Sequence, residues 1–212
     1  MTELPRLTAD VGVESIASVR KRLTKHFAGW TAFNVMTSGG FDPLHVGHLR
    51  HLQMAKEMAG PSGKLFVVTH SDEGLRRKKG YCFMPLEQRV ELLMELRCVD
   101  AVVVAEDYGD LDGTVTKTLE TFDPDVYAKG GDRTMANIPP GQAEVANRLG
   151  IWYVFGLGDK IESSERLVGH AAVAMLRNWY IPNMKPEAVF DRKFAQALAD
   201  DLEQQIPRMG VS

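Results

Sequence analysis

Two histidines follow a pair of glycines within one short segment, and residues of these types in this arrangement can bind phosphate. Residues 38–48 read Ser-Gly-Gly-Phe-Asp-Pro-Leu-His-Val-Gly-His and directly follow an apolar stretch at residues 33–37. Glycines let backbone N–H groups approach an anion, and a helix that begins there adds its positive N-terminal end. Helical residues three apart point in similar directions, so His45 and His48 are expected to face one ligand. The pattern predicts a phosphate-binding turn between a strand and a helix.

An isolated His-x-x-His pair can also occur without a phosphate ligand. It can be a core or surface pair without a role, or it can supply two ligands to a metal ion. The adjacent glycines and Phe41-Asp42 favour the phosphate site, with His45 and His48 donating to phosphate oxygens. Asp42 is expected to cap the helix or hold the turn. His51 repeats the spacing but has turned further around the helix, so we expect it outside the site.

The segment Gly-x-Phe-Asp-x-x-His-x-Gly-His resembles the signature of the nucleotidylyltransferases, in their cytidylyltransferase-like branch. The resemblance covers residues 32–168, and four further segments follow in the order of that branch: Ser71-Asp72, Pro-Leu-Glu-Gln-Arg at 85–89, Lys-Gly-Gly-Asp at 129–132, and Ser163-Ser164. The sequence looks most similar to the adenylyltransferase domain of ADP-heptose synthesis and less similar to glycerol-3-phosphate cytidylyltransferase. These enzymes join a nucleotide to a phosphorylated small molecule and release pyrophosphate.

This resemblance implies roles for individual residues. The implied nucleotide-binding residues are Ser38, Gly39, Gly40, Phe41, His45, His48, Lys129, Gly131, Asp132, Ser163 and Ser164. Asp132 would accept hydrogen bonds from sugar or base groups, or help to hold a cation. Lys56 joins the two histidines as a catalytic residue, because it matches a phosphate-binding lysine of the family. By residue type alone, Lys56 is equally a solvated surface lysine.

Basic residues are expected to bind the acceptor phosphate or the leaving pyrophosphate. In the family, the counterpart of the basic loop at residues 76–80 closes over the active site, which favours Lys78 or Lys79 without choosing between them. Arg89 is a further candidate, although a helical arginine can instead pair with an internal carboxylate. Arg166 follows the two serines, which equally suit a plain helix N-cap.

Apolar stretches and amphipathic helices alternate between residues 33 and 155. Strands are predicted at 33–38, 64–70, 99–105, 125–128 and 151–155, and helices at 44–59, 85–97, 113–122 and 139–149. The alternation predicts an α/β fold with a doubly wound, Rossmann-like parallel sheet. Ligands of such sheets bind beyond the carboxyl ends of the strands. The glycines, residues 70–72 and residues 129–132 each follow a strand, so we expect them to meet at one edge.

Helical segments flank this region. Helical spacing from Ile16 to Phe27 predicts a leader helix, and we divide the chain into an N-terminal helical extension (1–30), a nucleotidylyltransferase domain (31–168) and a C-terminal helical extension (169–212). A helix starting at the two serines is expected to end at Pro182. Apolar residues recur every four positions from Phe190 to Ile206, a stripe that suits either core coverage or a homodimer contact.

The composition excludes several other classes of protein. The chain has 212 residues, of which 25 are basic and 28 acidic, so a net charge of -3 provides no general attraction to nucleic acid or to an anionic membrane. Cys82 and Cys98 are too few for a disulfide framework, which fits a cytoplasmic setting. No apolar run is long enough to span a membrane. No dedicated metal site is evident, and Mg²⁺ is expected to arrive with the nucleotide.

The residues and the resemblance together predict an enzyme. It transfers a nucleoside monophosphate from a nucleoside triphosphate, ATP in preference to CTP, to a phosphorylated small metabolite such as a sugar or polyol phosphate. An adenylate-forming ligase also uses His-x-Gly-His, but no Lys-Met-Ser-Lys-Ser loop is found in this chain. A catalytically silent nucleotide-binding module is the third alternative, and the presence of both histidines argues against it.

Overall fold

The fold is built on a parallel β-sheet. A computed structural model of the protein describes residues 7–105, 115–130, 133–159, 161–184 and 189–208. Its strands are β1 (Thr8–Asp10), β2 (Asn34–Gly39), β3 (Lys64–Thr69), β4 (Ala101–Val104), β5 (Val126–Ala128) and β6 (Trp152–Phe155). They pair in parallel in the order β1-β6-β5-β2-β3-β4. The predicted doubly wound α/β fold is confirmed, and its switch point lies between β2 and β5.

Helices connect the strands. They are α1 (Ile16–His26), α2 (Val46–Ala59), α3 (Asp72–Lys79), α4 (Leu86–Met94), α5 (Thr116–Phe122) and α6 (Pro140–Leu149). Successive residues of β2 point to opposite faces of the sheet, so Val35 and Met36 enter two separate apolar clusters. The cluster around Val35 includes Leu52 of α2 and the leader helix, whereas the cluster around Met36 includes Leu119 of α5. Both faces of the sheet are therefore covered.

The N-terminal segment contributes a strand as well as the predicted helix. Thr8 pairs with Tyr153 and Asp10 with Phe155, so β1 extends the sheet beyond β6. Helix α1 then begins after Ser15, whose side chain accepts a hydrogen bond from Ser18 N at 3.2 Å. The predicted N-terminal helical extension, residues 1–30, thus contains a strand in addition to its helix. A strand of three residues has no detectable periodicity, and it forms because the edge of β6 offers unpaired backbone groups.

The basic segment at residues 76–80 is not a loop. Residues 76–79 form the second half of helix α3, and Gly80 ends that helix in the left-handed conformation with φ 83°. Ser71 caps the first turn, since its hydroxyl accepts from Gly74 N at 3.0 Å. Only Leu75 of this helix is buried. A helix with one buried residue has no amphipathic stripe, which is why the charge run suggested a loop.

A second compact unit follows the sheet. The chain divides into residues 1–160 and residues 161–212, which differs from the predicted boundaries at residues 30 and 168. In the second unit, α7 (Ser164–Met175) continues through a π-helical turn into the short α8 (Ile181–Asn183), and α9 (Val189–Gln205) packs against α7. Pro182 was expected to end the helix, and the continuous helix ends at Asn183, one residue beyond it. Within the parts of the chain that the structure describes, none of the helices could span a membrane.

Gly63 provides a test of how α2 and β3 are joined. A Cβ on Gly63 would overlap the carbonyl oxygen of Ala59 and lie 2.6 Å from the carbonyl oxygen of Phe33. We expect Gly63→Ala to lower the free energy of unfolding by about 1–3 kcal/mol, since backbone has to move. Gly141→Ala is the matched control, because its nearest neighbour would lie at 3.6 Å. Urea unfolding of both variants measures the difference, and equal stabilities would contradict the packing argument.

Candidate active site

The two histidines of the motif stack on each other at the start of α2. His45 is the N-cap residue with extended backbone (φ -143°, ψ 172°), so the helix begins at Val46 rather than at residue 44. Its Nδ1 accepts a hydrogen bond from His48 N at 3.3 Å. The ring centroids lie 3.7 Å apart with 20° between the ring planes. The two imidazoles therefore face the same way, and an accepting Nδ1 places the proton of a neutral His45 on Nε2.

His48 is held as a neutral imidazole. The edge of the Phe41 ring packs against it with centroids 5.0 Å apart, and its buried Nδ1 has no hydrogen-bond partner within the described residues. Burial lowers the pKa of His48 to about 3, and repulsion by His45, His51 and Lys79 lowers it in the same direction. At neutral pH His48 can thus donate a hydrogen bond to an anion without itself being a cation.

The glycine turn, residues 38–42, is packed tightly from the inside. A Cβ on Gly39 would lie 2.9 Å from the Phe41 ring, and one on Gly40 would lie 3.0 Å from Leu75. A side chain at either position would therefore require Phe41 or Leu75 to shift, so internal packing already favours glycine at both. The Phe41 ring, predicted in nucleotide binding, is only 2% exposed and supports His48 from within the protein.

Asp42 joins the glycine turn to the segment that precedes α4. Its carboxylate is fully buried and accepts hydrogen bonds from Phe83 N at 2.8 Å and Met84 N at 2.6 Å. The expected structural role of Asp42 is confirmed, although it holds a second turn rather than capping α2. The peptide bond between Asp42 and Pro43 is cis.

Arg89, predicted to bind phosphate, is bonded to groups inside the protein. The side chain is buried and donates to the carbonyl oxygens of three residues: Gly40 at 3.0 Å, His70 at 2.9 Å and Met84 at 2.9 Å. It also donates to Thr69 Oγ1 at 2.7 Å and to Asp72 Oδ1 at 2.8 Å. The structure thus contains the alternative arrangement from the sequence analysis, in which Arg89 pairs with an internal carboxylate, here that of Asp72.

Asp72, the partner of Arg89, is stabilised as a carboxylate. Partial burial alone would raise its pKa, but the hydrogen bonds from Arg89 and Cys82 outweigh this effect and lower the pKa of Asp72 below its usual value. The residue before it, Ser71, caps α3. The Ser71-Asp72 segment therefore links the end of β3 to the glycine turn through Arg89.

Of the two candidate lysines on α3, Lys79 lies at the glycine turn. Its Nζ would be 3.9 Å from a Cβ placed on Gly40, and it contributes to the lowered pKa of His48. Lys79 is half-buried, whereas Lys78 is exposed. The geometry therefore favours Lys79 as the cation nearest to the paired histidines.

Side chains at the ends of β2 and β5 are connected through Tyr127. Its hydroxyl lies 2.5 Å from Ser38 Oγ, and the Nζ of Lys129 lies 3.9 Å from the centroid of its ring. Tyr127 itself is fully buried. Ser38 and Lys129, both predicted to bind nucleotide, are thus brought to the same edge at the switch point. Gly131 and Asp132, from the same prediction, lie outside the described residues.

Lys56 was predicted to be catalytic, but the structure places it at the opposite edge of the sheet. Its Nζ donates to Asp100 Oδ2 at 2.5 Å and to the carbonyl oxygen of Gly63 at 2.9 Å. Gly63 and Asp100 precede β3 and β4, so they lie at the amino ends of those strands. Lys56 therefore connects α2 to the sheet, and its ion pair with Asp100 has a structural role.

Ser163, Ser164 and Arg166 belong to the second unit. Ser163 is the N-cap of α7, and its hydroxyl accepts from Arg166 N at 3.2 Å. The guanidinium Nε of Arg166 lies 3.7 Å from Glu162 Oε1. The N-cap role of Ser163 is confirmed, and phosphate binding by these three residues remains a prediction.

His51 links elements that are distant in sequence. Its Nε2 lies 2.7 Å from Thr37 Oγ1 on β2, and its Nδ1 lies 2.6 Å from the carbonyl oxygen of Leu157, after β6. It is also close enough to His48 to lower the pKa of that residue. We expected His51 outside the site, and sequence spacing carried no signal for these long-range contacts.

Comparison with known proteins identifies the family. The model of the cytidylyltransferase-like family matches residues 36–188. The chain belongs to this family. It is 35% identical over 99 residues to FAD synthase from Methanobrevibacter smithii, covering 47% of this chain and 62% of that protein. It is 39% identical over 104 residues to bifunctional protein HldE from Syntrophotalea carbinolica, covering 47% of this chain and 19% of that protein.

The cytidylyltransferase-like chain thus spans less than two thirds of the length of these two relatives. A solved structure, the lipopolysaccharide core biosynthesis protein from Thermoplasma volcanium, superposes with a TM-score of 0.48 and 23% identity over 60% of this chain and 99% of that one. The predicted membership of the cytidylyltransferase-like branch is confirmed, as is the resemblance to proteins of ADP-heptose synthesis. The similarity to FAD synthases was not anticipated from the sequence motifs.

The low pKa of His48 makes stability depend on pH. Unfolded chains bind a proton at this histidine below about pH 6.5, whereas the folded protein resists protonation until about pH 3. The contribution of His48 to the free energy of unfolding is therefore fully present above pH 6.5, and it is lost as the pH falls toward 3. We expect the stability advantage of the wild type over His48→Asn to shrink between pH 7 and pH 4 in urea unfolding. A His48 ring that titrates near pH 6.5 by NMR would contradict this.

Removing Arg89 should damage the fold more than removing a surface arginine. Arg89→Met leaves Asp72 and several strand-end carbonyls without their donor, so we expect a loss of about 3–5 kcal/mol in the free energy of unfolding. Arg148→Met is the matched control, because Arg148 forms an exposed ion pair with Glu120. That control should cost less than about 1 kcal/mol. Equal losses in denaturant unfolding would refute the structural importance of Arg89.

Proposed function

We propose that the protein transfers a nucleoside monophosphate from a nucleoside triphosphate to a phosphorylated small metabolite and releases pyrophosphate. The observation that carries this proposal is the stacked pair of His45 and His48 at the start of α2, beside the switch point of the sheet. Two imidazole donors and a helix N-terminus are directed at one place, and this arrangement suits a polyanion.

In the proposed reaction an oxygen of the acceptor phosphate attacks the α-phosphorus of the triphosphate. A new P–O bond forms as the bond between the α-phosphorus and the bridging oxygen breaks, and pyrophosphate leaves with that electron pair. No covalent enzyme intermediate is required. His45 and His48 donate hydrogen bonds to phosphate oxygens as negative charge moves to the leaving group. Lys79 supplies a positive charge beside Gly40, where it would offset repulsion between the two anions.

ATP is the proposed nucleotide, in preference to CTP. FAD, the product named for the Methanobrevibacter relative, consists of FMN joined to AMP, so that relative supports transfer of an adenylyl group. FMN carries a phosphomonoester, the same acceptor group as a sugar or polyol phosphate. The proposed acceptor class is therefore a phosphomonoester, with FMN and sugar phosphates as its two leading members.

Mg²⁺ is proposed to enter as part of the nucleotide substrate. Within the described residues, no group of three or more His, Cys, Asp or Glu side chains could hold a metal ion. Among the described residues, two carboxylates near the site are already engaged, since Asp42 accepts from two backbone N–H groups and Asp72 accepts from Arg89. The phosphate groups of the nucleotide would therefore supply the Mg²⁺ ion with most of its ligands from within the substrate. A homodimer and a cytoplasmic location also remain predictions.

A pyrophosphate-release assay tests the reaction. With Mg²⁺ present, ATP and CTP are each combined with FMN, a sugar 1-phosphate and glycerol 3-phosphate. We expect release with ATP and one phosphorylated acceptor, and a decrease in kcat of about 100-fold to 1,000-fold in His48→Ala, because one transition-state donor is lost. His170→Ala, which changes an exposed histidine of the second unit, should retain wild-type turnover.

The alternatives give different outcomes in the same assay. An adenylate-forming ligase would release pyrophosphate with a carboxylic acid acceptor and not with a phosphomonoester. A catalytically silent module would bind nucleotide without release under any combination. Full turnover by folded His48→Ala would contradict the proposed role of the paired imidazoles. A circular dichroism melt of each variant verifies that the loss of turnover is not a loss of folding.

A further inference from the structure

The hydrogen bonds around His51 place a constraint on its protons. The Leu157 carbonyl oxygen, 2.6 Å from Nδ1, can only accept a hydrogen bond, so Nδ1 must carry a proton. The Thr37 hydroxyl, 2.7 Å from Nε2, donates its single proton to the carbonyl oxygen of Ala128 at 3.0 Å. If that proton stays on the bond to Ala128, Thr37 Oγ1 can only accept from His51, and this requires a second proton, on Nε2.

All three hydrogen bonds exist together only when His51 is an imidazolium ion. A neutral His51 with its proton on Nδ1 would take the Thr37 proton at Nε2, and the hydrogen bond from Thr37 to the Ala128 carbonyl oxygen would be lost. A neutral His51 with its proton on Nε2 would lose the bond to Leu157. Protonation therefore adds one hydrogen bond to a partly buried network that joins β2, β5 and the segment after β6.

We propose that His51 is a positioning residue that takes up a proton when an anionic nucleotide binds at His45 and His48. The inference rests on the proposed function, because a triphosphate at these imidazoles supplies the negative charge. His51 follows His48 by three residues, so the two side chains are neighbours on α2. A protonated His51 would fasten α2 and the segment after β6 to the end of β2 while the nucleotide is bound.

The surroundings of His51 favour such a switch. His48 is influenced by His51, by His45 and by Lys79 of α3, so His51 belongs to one group of basic side chains around His48. The hydrogen-bond partners of the His51 ring on β2 and after β6, the Thr37 hydroxyl and the Leu157 carbonyl oxygen, are neutral. A bound polyanion would place negative charge beside this group of side chains and so favour a proton on His51. The backbone of Gly158 packs closely against the backbone of His51, since a Cβ on Gly158 would lie 3.3 Å from His51 Cα.

NMR titration of His51 in the free protein tests the hydrogen-bond assignment without any nucleotide. Thr37→Val removes the hydroxyl with little change of shape. If Thr37 Oγ1 accepts from an imidazolium, the variant destabilises the charged form and the pKa of His51 falls. If the hydroxyl instead serves mainly as a donor to a neutral ring, the pKa rises. A fall supports the proposal, whereas a rise or an unchanged value overturns it. Ser18→Ala, at an exposed hydroxyl on α1, is the control and should leave His51 unchanged.

Nucleotide binding tests the coupling. ATP with Mg²⁺ is titrated calorimetrically into the wild type and into His51→Gln at pH 7, in two buffers of different ionisation enthalpy. We expect net proton uptake by the wild type and a loss of that uptake in the variant, which retains a hydrogen-bonding side chain but cannot titrate. The pKa of His51, followed by NMR in the wild type, should rise on addition of ATP.

The outcomes separate this inference from the function on which it rests. ATP binding with equal proton uptake in the wild type and His51→Gln, or an unchanged pKa of His51 in the wild type, would overturn the role of His51 alone. Absence of ATP binding by the wild type would overturn the proposed function and the coupling together. The wild-type NMR measurement does not depend on the folding of any variant.

Discussion

The buried guanidinium of Arg89 is the interaction on which the geometry of the candidate site depends. Parallel strands end with carbonyl groups that have no partner in the sheet, and a buried carbonyl without a donor is costly. Arg89 supplies donors to Gly40 and His70, next to the ends of β2 and β3, and also to Met84. Asp72 balances its charge. One side chain thus fixes the two strand ends and the segment before α4, and the glycine turn is held between them.

Against this fixed backbone, the site attracts anions without accumulating much permanent charge. His48 is a donor that stays neutral because burial and its basic neighbours oppose protonation. His45 is oriented by accepting from His48 N, and helix α2 directs its N-terminus to the same place. Repulsion among these basic groups is unfavourable in the free protein and would be relieved by a bound anion. A bound anion would also favour a proton on the neighbouring His51, so binding and protonation are expected to be coupled there.

Several parts of the site followed from local sequence. The spacing of His45 and His48 after paired glycines predicted a shared direction for the two rings, since helical periodicity is a local property. Ser163 was predicted as an N-cap on the same grounds. Helix α3 also had a local signature, with Ser71 before an acidic first turn, a basic last turn and Gly80 at its end. The segment was nevertheless predicted as a loop, because it lacks a second buried apolar residue that would give it helical periodicity.

The sequence by itself determined the family, the alternating order of strands and helices, and the turn that carries the paired histidines. These features depend on residue periodicity, helix capping and short motifs, which act over a few positions. Only the tertiary structure decided which basic residues face the site. Lys56 pairs with Asp100, 44 residues away, and His51 contacts Leu157, 106 residues away. Such partners are selected by burial and by the need to satisfy each buried polar group, and both depend on which strand ends meet in space.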